Sequence, residues 1–224
     1  MHQLELSKYV DVMKKNLLII TAPLLLVAVC FIFVGYKSGT ADDDNQQVQA
    51  VIAEMNRCRT NPKGYAETAL KKQLDRFVEE NIYRNSDGSL IMTNEGRKRV
   101  LDAINELKRM QPIGPLTYDE ALAKAARFHC EDTGPAGLIG HNGSDGTSMG
   151  DRLKKYVKDR MAWGENIDYG NSSAEDIVIS LVIDDGVPSR GHLKNIMKSS
   201  FRRAGAAIGP HKQYGFMCTI DFSD

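Results

Sequence analysis

"RAGAAIGPHKQYGFMCTIDF", residues 203–222, decides the fold class, because it is the stretch of the chain that reads as paired strands. Two apolar runs, RAGAAIG and YGFMCTIDF, flank PHKQ, and runs of this kind about a short polar turn make an antiparallel hairpin. Upstream the pattern is helical. Val48, Val51, Ile52 and Met55 recur at helical spacing, with Asp44 or Asn45 as cap. Asn61-Pro62 restarts a helix whose apolar residues are Tyr65, Ala69, Leu70, Leu74, Phe77 and Val78, until RNSDGS (84–89) breaks it. Another helix is expected from about Thr93 to just before Pro112, with Val100, Leu101, Ile104 and Leu107 on its inner face. TYDE (117–120) is a capping box for ALAKAARFHCED, which Gly134-Pro135 closes, and SAED (173–176) opens IVISLVI in the same way. Helices around one small antiparallel sheet, without regular strand–helix alternation, define an α+β class.

A chain of 224 residues that is 42% hydrophobic can bury one sizeable core, so one domain plus an appendage is expected. Lys+Arg and Asp+Glu are balanced at 29 each, which argues against nucleic acid as a partner, since backbone binding needs a positive excess. The appendage is N-terminal. NLLIITAPLLLVAVCFIFVGY, residues 16–36, carries no charge and is long enough to cross a bilayer as a helix. Lys8, Lys14 and Lys15 precede it and Asp42, Asp43 and Asp44 follow, so the positive-inside rule leaves the N-terminus in the cytoplasm and the domain outside. A signal peptide cut near GTA (39–41) is the alternative. The expected organisation is a cytosolic N-terminus (1–15), a transmembrane anchor or signal helix (16–36), an acidic linker (37–44) and a domain over 45–224, extracytoplasmic whether anchored or secreted. Cys30 lies in the apolar span. Cys58, Cys130 and Cys218 remain, enough for at most one disulfide and one free thiol, with the pairing open.

Chemically capable residues concentrate in GHNGSDGTSMGDR (140–152), WGENIDYG (163–170) and DDGVPSRGH (184–192). In each, a His or Glu directly follows Gly, which allows close backbone approach and aims the next side chain. Asp184 continues the Ile177–Leu181 stripe and leaves an apolar helix on a buried face, where a carboxylate needs a partner; Asp185 continues the Val178–Val182 stripe equally well. His129, in step with Leu122, Ala125 and Ala126, reads as a helix residue near the core, and His211 as a solvated residue of the hairpin turn. GTSMG (146–150) fits G-x-S-x-G, but polar, glycine-rich residues precede it where a serine hydrolase needs a buried strand.

The order GH-x-GSDG, WGENI, SRGH-x-x-NI, a glycine-rich strand and a final CTIDF strand resembles the CAP superfamily of cysteine-rich secretory, antigen 5 and pathogenesis-related proteins, in a microbial or protist form, over roughly residues 45–224. The resemblance implies an α-β-α sandwich with the antiparallel sheet between helices and a cleft holding two histidines and two acids. These fall on His141, Glu165, Asp184 and His192, with Leu181 where the family carries a Trp and Asp184 where it carries a longer Glu. The choice between Asp184 and Asp185 is thereby made for Asp184. The segment from about Leu70 to Pro115 exceeds what the resemblance implies between the first two core helices.

The four side chains are expected to converge on one cleft. Two neutral imidazoles, His141 and His192, with Glu165 or Asp184 as a third ligand, suit a divalent metal, zinc first. The resemblance adds a lipid or sterol, or a protein partner, in some members, and no agreed catalysis. The leading expectation is a non-catalytic extracytoplasmic binding domain. A metal-dependent hydrolase or protease using the same cleft, and a structural surface protein whose tetrad braces loops, are the alternatives.

Overall fold

The computed structural model describes residues 41–158 and 161–224, so the expected span at 16–36 and the residues before it lie outside the described residues. Among the described residues no helix is long and apolar enough to cross a membrane. In chain order the helices are α1 (Ala41–Thr60), α2 (Pro62–Tyr65), a π-helical turn (Ala66–Leu70), α3 (Lys71–Asp75), α4 (Gly96–Arg109), α5 (Glu120–Thr133), α6 (Met149–Tyr156), α7 (Ala174–Ile183) and α8 (Gly191–Ile196). The strands are β1 (Phe77–Glu79), β2 (Ile82–Arg84), β3 (Leu90–Met92), β4 (Thr117–Tyr118), β5 (Trp163–Tyr169), β6 (Arg203–His211) and β7 (Gly215–Ser223).

The hairpin read from 203–222 is the middle of a four-stranded sheet of order β4-β6-β7-β5. Its pairing register sets Ala206 against Ile220 and Ile208 against Cys218. Alternation along the strands serves two layers of helices. Ala204, Ala206, Cys218, Ile220 and Phe222 face the larger core, with the apolar stripes of α1, α4 and α7. Ala207, Met217 and Ile167 face Ala126 and Cys130 of α5. The α-β-α layering is thus present, but the sheet is not wholly antiparallel: the short β4 pairs in parallel with β6, Thr117 with Arg203 and Tyr118 with Ala204.

Several sequence expectations are corrected. The helix after Pro62 stops at Asp75, and residues 77–92 form a separate three-stranded antiparallel sheet. RNSDGS is therefore a hairpin turn: Asp87 accepts from Ser89 N, and Gly88 takes φ 87°. The aromatic and β-branched residues around it favour pleated pairing over the helical period that Phe77 and Val78 happened to fit. Leu101 is 48% exposed and Ala103 takes the inward place on α4. Asp119, not a Thr117 box, caps α5, accepting from Ala121 N and Leu122 N, while Thr117 is spent in β4. α1 is already helical at Ala41, so Asp44 and Asn45 lie within it and not at its cap. WGENIDY is strand β5, whose polar residues hid it from a search for apolar runs. Cys58, Cys130 and Cys218 are all free and buried.

Two buried arginines fix the parts of the larger core that carry the site. Arg59, at the end of α1, donates to the carbonyls of Gly114, Ile196, Lys198 and Phe201, gathering the end of α8 against α1. Arg99 of α4 donates through Nε to Ile183 O at 2.5 Å, anchoring the last turn of α7.

Candidate functional site

The sequence-predicted residues lie in two groups about β5, an edge strand of the sheet. Glu165 projects to the α5–α6 face, in step with Asp221 of β7, while Asn166 and Asp168 project to the other face. On the first face His141 stands over Glu165, with Nδ1 2.8 Å from Oε1; the carboxylate is buried and the imidazole half-exposed. On the other, His192 Nδ1 lies 2.7 Å from Asp184 Oδ1. The four residues thus form two carboxylate–imidazole pairs. The strand links them: Asn166 Nδ2 donates to His192 O, and Asn195 Nδ2 donates to Glu165 O.

Local geometry explains why these residues stand where they do. Asp184 ends α7 in the left-handed conformation, φ 59° and ψ 45°, a region in which non-glycine residues are rare and Asp is among the better tolerated. That turn sends Asp184 Oδ2 onto the N–H groups of His192 and Leu193, the first turn of α8. Arg190 has φ 51° and closes the loop, bonding Asp184 O and Glu95. Asp185, the alternative acid, faces elsewhere and accepts from Asn94 N and Glu95 N ahead of α4. Of the two acids, Asp184 touches His192 and Asp185 is a helix-end acceptor.

Behind His141 lies a buried network that the sequence reading missed. Arg152 of α6 donates through Nη2 to Glu165 Oε2 and through Nη1 to His129 Nδ1 at 2.9 Å and to His141 O at 3.2 Å. His129 Nδ1 thus accepts, and its Nε2–H donates to Gly140 O at 3.0 Å, which fixes the neutral tautomer and braces the glycine before His141. Burial lowers the His129 pKa in the same sense. Asp221 faces Glu165 across the ladder; neither of its oxygens meets a protein donor, and burial, then the Glu165 charge, pushes its carboxyl well above the usual range. Both effects favour the protonated form of the Asp221 carboxyl, which can then share its proton with Glu165.

This arrangement predicts a pH dependence. Asp221 holds a proton in the folded protein that the unfolded chain releases above its ordinary value of 3.8. Its contribution is therefore greatest below that value and is lost progressively as pH rises above it. Asp221→Asn, which keeps a donor towards Glu165 without a proton to acquire, is expected to flatten the decline in stability between about pH 4 and 7. Chemical denaturation across that range measures it; an unchanged slope would show that Asp221 is ionised.

The remaining candidates serve structure. Ser148 caps α6, accepting from Asp151 N, and no strand leads into it. Ser144 Oγ donates to Asp132. His211 is buried, not solvated, because β6 runs through it: Nε2 meets Leu138 O, and Nδ1 accepts from Gln213 N and Tyr214 N to close the turn. Burial raises the thiols of Cys58 to about 12 and Cys130 to about 11, so neither offers a thiolate.

Residues 101–222 match the family model of the CAP, or cysteine-rich secretory protein, family, and the chain belongs to that family. The uncharacterized protein YkwD of Bacillus subtilis is 26% identical over 160 residues, 71% of this chain and 60% of that protein, so the chain spans about 60% of the length of that relative. Among solved structures, an outer surface protein of Borrelia burgdorferi aligns with TM-score 0.43 and 19% identity over 50% of this chain and 79% of that one. An SCP-domain extracellular protein of Bacillus anthracis aligns with TM-score 0.41 and 21% identity over 56% of this chain and 37% of that one.

Proposed function

We propose that this CAP domain is a non-catalytic binding module outside the cytoplasm, whose two carboxylate-backed imidazoles take a divalent metal, zinc first, and whose cleft also receives a small apolar ligand such as a lipid or sterol, or a protein partner. The observation that carries the metal reading is the use of Nδ1 in both pairs. With Nδ1–H donating to Glu165 and to Asp184, each neutral ring is left with its Nε2 lone pair. That is how a carboxylate orients a ligating histidine. Glu165 and Asp184 then stand behind the rings, their oxygens engaged by Arg152, by His141 and by the start of α8. Among the described residues no group of three or more His, Cys, Asp or Glu side chains is placed around one ion. A metal held by His141 and His192 would have to reach from one pair to the other across the edge of β5, completed by water or ligand, and would supply Lewis acidity or a bridge to a bound group. Ser144 and Ser148 are committed to local structure, which favours binding over hydrolysis. Location outside the cytoplasm rests on the lysines before residues 16–36 and the aspartates after them.

Calorimetric zinc titration tests the reading. His141→Ala and His192→Ala are each expected to weaken binding roughly a hundredfold or more, and Asp184→Asn by roughly ten- to a hundredfold through loss of ring orientation. Asp145→Asn, an exposed acid of the His141 loop, is expected to change nothing. Equal affinity in all these proteins would leave the two pairs as hydrogen-bonded braces.

A further inference from the structure

The inserted segment between α3 and α4 does not lie idle on the surface. Its small sheet and the start of α4 wall one side of a cavity of about 420 Å3, a size suited to a small organic molecule, and β5 with the end of α7 forms the other side. Four aromatic rings line it: Phe77 and Tyr83 from the insertion, Tyr169 from β5 and Tyr214 from the β6–β7 turn. Ile91, Leu181, Ile183 and Val187 supply aliphatic surface.

The charge of the lining is one-sided. Asp168, Asp184 and Asp185 all contribute, and His192 is the only basic side chain among the described lining residues. Cations just outside are committed: Arg76 to Asp176, and Arg190 to Glu95. Asp184 is spent on His192 and α8, and Asp185 on the backbone ahead of α4. Asp168 differs. It is 3% exposed, and its donors are the neutral Asn171 amide, at 3.1 and 3.0 Å, and the Ser180 hydroxyl. It is a buried carboxylate without a full counter-charge, beside a cavity faced with aromatic rings.

We propose that this cavity binds a small organic cation, an aryl- or alkylammonium whose apolar body lies among the rings and whose ammonium group pairs with Asp168. Buried carboxylates are costly unless matched by a cation, and ring faces of Tyr and Phe attract one. Burial already raises the Asp168 carboxyl to about 7, the sense expected of an anion lacking its partner. A fatty-acid carboxylate would instead meet three aspartates. The proposal deepens the binding-module reading and names its ligand class, but the metal plays no part in it.

Calorimetry on the purified full-length chain at about pH 8, where the amine is charged and Asp168 ionised, compares three probes of one skeleton: 4-phenylbutylamine, 4-phenylbutan-1-ol and 4-phenylbutyrate. The amine is expected to bind roughly tenfold or more tighter than the alcohol, and the carboxylate weakest. Asp168→Asn is expected to remove the preference for amine over alcohol. Tyr214→Ala, in an exposed turn where folding is not at stake, is expected to weaken the amine several-fold, roughly by one ring's contribution. His141→Ala is expected to lose zinc and keep the amine, so failure of the metal reading and failure of this one are told apart. Alcohol or carboxylate binding as tightly as the amine, or no amine binding at millimolar concentration to the folded protein, would overturn the proposal.

Discussion

Arg152→Met is expected to lower the unfolding free energy by roughly 3–5 kcal/mol, the cost of leaving a buried carboxylate without its cation. The guanidinium is 1% exposed and is the cation of a buried cluster in which Glu165 accepts from it, Asp221 faces Glu165 across the ladder and His129 offers it a ring nitrogen. Without it the pair of acids is left with no counter-charge, and the carbonyl of His141 loses a donor. The variant is also expected to weaken zinc binding, because Glu165 loses the contact that holds it under the His141 ring. Adding Glu165→Gln removes the orphaned charge, so the double variant is expected to be more stable than Arg152→Met alone. Urea denaturation of the two single variants and the double variant measures this coupling. A double variant no more stable than Arg152→Met would show that Arg152 acts by packing and not by charge.

Gly205→Ala is expected to cost at least about 3 kcal/mol, beyond the usual range for overpacking, because the obstacle is backbone. A Cβ at residue 205 would lie 2.0 Å from Ala123 N, 2.4 Å from Leu122 C and 2.7 Å from Ala123 Cα. Strand β6 and helix α5 touch there main chain to main chain, so relief requires moving the helix off the sheet. That motion would shift His129 and the Gly140–His141 segment it braces, and the variant is expected to lose zinc affinity along with stability. Gly150→Ala is the control: its Cβ meets nothing closer than Ser148 Oγ at 4.0 Å, on a helix where Ala is favoured by roughly 0.5–1 kcal/mol. Denaturation midpoints of the two variants decide it, and similar stability in both would mean that the α5–β6 contact yields.

Apolar periodicity by itself determined the helices that build the core and the hairpin they pack on. Val48 to Met55, Val100 to Leu107 and Ile177 to Val182 are buried, because a stripe at helical spacing has one way to leave water. Gly-x motifs marked His141, Glu165 and His192 as side chains aimed by the glycine before them, and the helix stripe marked Asp184 or Asp185. Position along the chain did not reveal what those side chains touch. The separation into two pairs on either side of β5 follows from strand alternation, and β5 itself escaped notice because Glu165, Asn166 and Asp168 are polar residues buried in a strand. Only the tertiary structure decided which polar residues are mutual partners, since Arg152, Glu165 and Asp221 come from three elements and a buried charge is satisfied by whatever packing brings beside it. It also decided the insertion, where turn chemistry at Asp87 and Gly88 turned an apparent helix into the sheet that closes a cavity over Asp168. Local pattern sets which face a residue shows, and packing between distant segments sets what that face meets.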